Sequence, residues 1–132
     1  MAMGKRTQMN MEWKFRGWDA TGNKGWVYGD LVHNQKITKT GLEPRVMVGG
    51  YEVVPESVGL WTGRKDSNGK DIFVGDILRD AWDLVNEVIW DDDAAGVYLY
   101  YKDIYSTFMD KEYEHMEIIG NNFLNKELLD NE

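Results

Sequence analysis

Gly59-Leu60-Trp61-Thr62-Gly63-Arg64-Lys65-Asp66-Ser67-Asn68-Gly69-Lys70-Asp71-Ile72-Phe73-Val74-Gly75-Asp76-Ile77-Leu78 decides the fold. Asn68-Gly69 sits between two apolar runs, the strongest short-range hairpin signal a sequence offers. Leu60, Ile72 and Val74 mark the buried face of that hairpin. Gly75-Asp76 then interrupts the second strand: glycine allows a bend, and a short carboxylate can accept hydrogen bonds from nearby backbone amides. The stretch is dense in glycine and charge, yet each residue has a structural duty and none is chemical.

The same logic extends outward. Met11 to Gly17 alternates, with Met11, Trp13 and Phe15 on one side and Glu12, Lys14 and Arg16 on the other, so it predicts a half-buried strand with those charges outside. Asp19 to Gly25 is a turn by composition, and Trp26 to Val32 a returning strand. His33 to Thr40 is polar, and Gly41-Leu42-Glu43-Pro44 reads as a second turn. Arg45 to Val54 is a strand that Gly49-Gly50 can split, and Pro55 to Val58 suits one helical turn. Leu84 to Trp90, Val97 to Tyr101, Ile104 to Met109 and Met116 to Ile119 are further strands, and Asn125 to Leu129 supports one helical turn.

Short antiparallel strands at roughly ten-residue spacing predict a mainly β fold, a small SH3-like barrel or β-sandwich, with a short C-terminal helical turn. One echo recurs: Asn23-Lys24-Gly25-Trp26-Val27-Tyr28-Gly29-Asp30-Leu31-Val32 parallels Gly69-Lys70-Asp71-Ile72-Phe73-Val74-Gly75-Asp76-Ile77-Leu78, each a polar turn, three apolar residues, Gly-Asp and two aliphatics. It reads as a recurring corner device, since the flanks do not align.

Composition bounds the function. The 132 residues, 42% apolar with six Trp, seven Tyr and four Phe, suit one globular domain. There is no cysteine, which excludes disulfides and thiolate metal sites. No apolar run approaches the ~20 residues that span a bilayer, and the polar first ten residues lack a signal-peptide core. A cytoplasmic protein is expected. Met1, Met3, Met9 and Met11 leave the translation start open. The net charge is −8, which repels a phosphate backbone and argues against general nucleic-acid binding. The excess acid lies beyond Gly75: fifteen acids and four bases there, against eight acids and eleven bases before it. An acidic DNA-mimic surface would have to come from the second half.

Residues that could carry chemistry have plainer explanations. His33 and His115 are the only histidines, and each stands among polar or acidic neighbours as a solvated residue does. Asp91-Asp92-Asp93 fails a calcium loop, since Ala95 and Lys102 fall where the fifth and twelfth positions need oxygen ligands. Asp66-Ser67-Asn68-Gly69 is turn chemistry, and Asp80/Asp83 and Glu112/Glu114 read as solvated carboxylates. Phosphate-loop and nucleophile-elbow patterns are missing. No catalytic, cofactor or metal residue is therefore expected. The aromatic run Tyr98, Tyr100, Tyr101, Tyr105 and Phe108, with only Lys102 as a nearby cation, reads as core or subunit packing and is where a binding surface is expected.

These motifs resemble the YopX family. The likeness begins at Lys14-Phe15-Arg16-Gly17-Trp18-Asp19 and continues through Tyr28-Gly29-Asp30-Leu31-Val32-His33. Its centre is Pro55 to Gly63 running into Lys65 to Leu78, and Val88-Ile89-Trp90-Asp91, Glu117-Ile118-Ile119-Gly120-Asn121 and Leu128-Leu129 complete it. Trp61 and Phe73 stand where the family often has tyrosine. The resemblance implies a mainly β fold, a phage or prophage origin in a bacterial host, a homo-oligomer and an activity that is unknown. It supplies no catalytic residues. On it, residues 1–10 form a flexible leader and 11–132 one domain, with an N-terminal β subdomain (11–54) packed on a barrel (55–124). The expected function is an accessory protein that binds itself and an unidentified protein partner. The alternatives are a modulator of nucleic-acid processing and a carboxylate enzyme.

Overall fold

A computed structural model of the chain describes residues 12–107 and 112–130. Its strands are β1 (Phe15–Trp18), β2 (Trp26–Gly29), β3 (Leu31–Thr38), β4 (Gly41–Val48), β5 (Tyr51–Glu52), β6 (Gly59–Lys65), β7 (Asp71–Phe73), β8 (Asp76–Arg79), β9 (Val85–Asp91), β10 (Gly96–Tyr101), β11 (Ile104–Thr107) and β12 (Glu117–Asn121). Among the described residues there is one short α-helix, α1 (Glu127–Asp130), and Pro55–Ser57 and Glu112–His115 each make a 3-10 turn. The mainly β, antiparallel class and the C-terminal helical turn are as expected. The strands form three open sheets, ordered β2-β1-β6-β7, β11-β10-β9-β8-β12 and β3-β4-β5, and none closes into a barrel. One sheet spans residue 54, because β1 hydrogen-bonds β6.

The deciding stretch folds as a hairpin, β6 against β7, with a turn of three residues rather than two. Gly69 N–H donates to Asp66 O (3.0 Å) and Asp66 N–H to Lys70 O (2.8 Å). Gly69 alone takes positive φ (+80°) while Asn68 does not, so this is an ordinary turn closed by a left-handed glycine. Buried Asp66 holds it: its carboxylate accepts from Asn68 N–H (2.8 Å), Lys70 N–H (2.9 Å) and, across the fold, Ile118 N–H (3.0 Å).

Gly75 (φ +103°) is the corner at which the chain leaves the first sheet and enters the second. Its N–H donates to Val88 O and its carbonyl accepts from Asn122 N–H. Gly29 (φ +145°) repeats the bend, packed against the Gly49 backbone. The aspartates part company. Asp76 is buried and accepts from Phe73 N–H (2.8 Å), whereas Asp30 is exposed.

Two cores result. Ile72, Leu78, Val88, Leu99, Tyr113 and Met116 pack together beneath the second sheet. Val27, Val48 and Val53, with Phe15, Leu31, Val46 and Val58, fill the space between the first and third sheets. Burying each such aliphatic side chain contributes about 1.5–3 kcal/mol.

Two expectations are corrected. His33–Thr40 and Gly41–Pro44 are not a polar segment and a turn. They belong to β3 and β4, which pair in unbroken register from Leu31↔Val48 to Thr38↔Gly41 around a tight turn at Lys39-Thr40. Both faces of this hairpin meet water over most of its length, so the apolar alternation that signals a strand is missing. Arg16, placed outside by the alternation of β1, is buried at 8% exposure, while Trp13, placed inside, is 54% exposed. The strand begins only at Phe15, and Met11 lies outside the described residues. An ion pair with Asp76 accounts for the buried charge.

Candidate functional site

The carboxylates that might have carried chemistry hold the backbone. Asp19 accepts from the Thr21 hydroxyl (2.7 Å) and from the amides of Thr21 and Lys24, which keep its carboxyl below the usual value. Asp80 accepts from Trp82 and Leu84 N–H, and Asp91 from Asp93 N–H. Asp71 pairs with Lys65 (2.8 Å) and Lys14 (3.1 Å), and both pairs hold its carboxyl down. His33 and His115 are exposed, as is Glu114; the side chain of Glu112 lies outside the described residues. Among the described residues no three His, Asp or Glu side chains cluster as metal ligands.

Asp76 and Arg16 form the most buried polar unit. Asp76 is 1% exposed, and its Oδ1 lies 2.7 Å from Arg16 Nη2. Burial pushes the Asp76 carboxyl up, and Arg16 and Phe73 N–H pull it partly back. The guanidinium lies over the rings of Trp26 (4.4 Å) and Phe73 (5.0 Å). Gly59 and Gly75 leave the room: a Cβ on either would lie within 3.8 Å of the guanidinium, and one on Gly59 would strike Val74 O at 2.2 Å. A cleft of about 410 Å³ adjoins the pair, walled also by Tyr28, Lys70 and Asp71. Its acids are already paired, so the arrangement locks the first sheet to the second.

A second cleft is different in kind. Trp13, Leu60, Trp61, Trp90 and Val97 wall a groove of about 690 Å³ between the start of β1, β6 and the β9–β10 hairpin. Its size is that of a ligand cleft, roughly 300–1,000 Å³. Lys14 Nζ stands 4.5 Å from the Trp61 ring centre, and the buried Trp61 Nε1 has no hydrogen-bond partner among the described residues. Trp90 is 46% exposed. Its charged lining is one acid and one base, Glu12 and Arg64, and Ala95 and Gly96 close it at the β9–β10 turn. Leu60 and Trp90 also wall an adjoining cleft of about 310 Å³ with Phe15 and Val74.

The β3–β4 hairpin is an arm. Near its tip Ile37 (86% exposed) faces Leu42 (63% exposed) across the strands. Polar pairs stiffen it: Arg45 Nε donates to Asn34 Oδ1 (2.7 Å), and Lys36 Nζ reaches Glu52 on β5 (2.9 Å).

The tyrosine run divides by strand alternation. Leu99 enters the core, while Tyr98 and Tyr100 project to the other face of the sheet. Tyr100 packs edge-on against exposed Tyr105 (5.1 Å), and its hydroxyl donates to Asp103 (2.8 Å), which pushes the phenol up. Phe108 lies outside the described residues. The tryptophan groove and the arm were missed in the sequence. The available signal was six tryptophans in so short a chain, too many for cores this small.

Fold and surfaces define a small antiparallel β protein that leaves large apolar side chains uncovered. The chain belongs to the YopX family: the family model described as YopX protein matches residues 14–130. Among solved structures it is similar to protein EF1440 from Enterococcus faecalis, at 24% identity and a TM-score of 0.56, covering 90% of this chain and 99% of that one. That likeness concerns the fold alone. No curated protein matches the chain. No helix among the described residues is long and apolar enough to cross a membrane.

Proposed function

We propose that this YopX-family protein is a phage or prophage accessory protein that works by binding protein, first of all another copy of itself, and not by catalysis. The observation that carries this is the arm: two eight-residue strands whose tip presents Ile37 and Leu42 to solvent. A two-stranded ribbon is marginal in water on its own, and apolar side chains grouped at its end mark a contact surface. Exposed Trp13 and Trp90 at the groove, and Ile104 and Tyr105 on β11, supply further apolar area of the residue types that interfaces favour. Membership of the YopX family supports the phage or prophage part of this reading, and with it the cytoplasm of a bacterial host as the proposed site of action. Sedimentation of the purified chain at micromolar concentration tests the self-association. A species larger than one chain is expected, and a monomer throughout overturns it.

A further inference from the structure

We infer that Asn68 is a deamidation site and that the Asp66 clamp on its turn sets how fast it reacts. Of the chain's asparagines, Asn68 alone precedes a glycine. Glycine has no Cβ, so the Gly69 nitrogen can approach the Asn68 side-chain carbonyl carbon, Cγ, unobstructed; even a Cβ built on Gly69 would meet nothing. Both residues are exposed, and the Asn68 side chain has no hydrogen-bond partner among the described residues. Other asparagine side chains are engaged: Asn34 accepts from Arg45, Asn122 donates to Glu87, and Asn121 accepts from the amides of Phe123 and Leu124. The reaction balances with water as its only co-reactant. The Gly69 nitrogen loses its proton to solvent and bonds to Asn68 Cγ, and the side-chain nitrogen leaves as ammonia. Water then opens the cyclic imide at either carbonyl, giving aspartate or isoaspartate. Isoaspartate routes the main chain through Cγ and lengthens it by one methylene.

The folded turn holds that reaction back. Gly69 N–H donates to Asp66 O (3.0 Å), so the attacking nitrogen is already engaged. Asp66 Oδ1 accepts from Asn68 N–H (2.8 Å) and Lys70 N–H (2.9 Å), which pins the peptide groups on either side. Bonds to an ionised acceptor are the strong ones, so ring closure waits for local opening of the turn. Once formed, isoaspartate no longer fits this three-residue turn and sets a second carboxylate beside Asp66. Because Asp66 Oδ2 also holds Ile118 N–H (3.0 Å), the change reaches β12 in the second sheet. Peptide mapping by mass spectrometry, during incubation at mildly alkaline pH, follows the conversion. Aspartate and isoaspartate are expected to accumulate at Asn68 ahead of every other asparagine, and fastest in urea. Asp66→Ala is expected to raise the rate in the folded chain by at least about tenfold, the factor that one lost bond to a charged acceptor gives. Asp76→Ala destabilises the fold elsewhere and leaves the turn's bonds in place, so its rate is expected to stay well below that of Asp66→Ala. The deamidated fraction, separated by charge, is expected to melt below its parent, and an unchanged melting temperature overturns the strain on the turn. Conversion no faster at Asn68 than at other asparagines, in the folded chain and in urea alike, overturns the site. Equal rates in wild type and Asp66→Ala, or an Asp76→Ala chain as fast as Asp66→Ala, overturn the clamp as its control.

Discussion

Arg16 and Asp76 show how far one residue can depart from the pattern around it. Strand alternation sends Arg16 to solvent, and a buried carboxylate overrides it. Removing one partner of a buried pair leaves an uncompensated charge and costs about 3–5 kcal/mol. Asp76→Ala is therefore expected to lower the urea unfolding free energy by that amount. Arg16→Met/Asp76→Leu, which removes both charges, should recover most of it. A double variant as unstable as the single one would mean that the ring contacts and the Phe73 amide, not the ion pair, matter. The signs of the carboxyl shifts give a second expectation. Asp19 and Asp71 are held below the free value of 3.8, so their contribution is complete above it and lost as pH falls below it. Asp76 is raised, so its ionised form costs stability as pH climbs from 3.8 toward its own value. Melting temperature should fall on acidification below about pH 4, and Asp71→Asn should flatten that fall, by under ~1 kcal/mol because Lys65 is largely exposed. A slope that is unchanged in Asp71→Asn would remove this pair from the acid response.

At the scale of elements, what the sequence shows is turn chemistry with one buried face. The β6–β7 hairpin, the Gly49-Gly50 split and the Pro55 turn were legible because each uses a residue that only one backbone geometry favours. The arm was not legible, because a ribbon wet on both sides has no hydrophobic period to read. The groove was hidden differently: Trp13, Trp61 and Trp90 meet from three distant segments, and nothing local foretells it. Two substitutions probe the elements. Asp66→Ala removes an acceptor from three backbone amides at once, and charged acceptors are worth about 1.5–3 kcal/mol each. A loss of about 3 kcal/mol or more is expected by denaturant titration, with Asp66→Asn intermediate. Gly49 (φ +59°) and Gly22 (φ +80°) separate strain from space. An Ala Cβ at Gly49 would lie 2.3 Å from Tyr28 O, whereas one at Gly22 meets nothing. Gly22→Ala should cost about 1 kcal/mol of backbone strain alone, and Gly49→Ala clearly more. Equal costs would show that the chain relaxes around Tyr28 freely.

For the whole molecule, charge distribution sets how copies meet. The first 75 residues carry a net +3 and the remainder −11, which makes each copy an anion of net −8. Net repulsion between copies is long-ranged, and at about 0.01 M salt, where the screening length is ~30 Å, it reaches across a domain. At about 0.1 M the screening length is ~10 Å and that repulsion is largely screened. Self-association is therefore expected to tighten as salt rises from about 0.01 to 0.1 M, as sedimentation velocity across a salt series would read. Replacing Asp91, Asp92 and Asp93 by Asn brings the net charge from −8 to −5 and should shrink that tightening. An assembly that loosens steadily as salt rises would show that opposite charges, and not apolar side chains, hold the copies together.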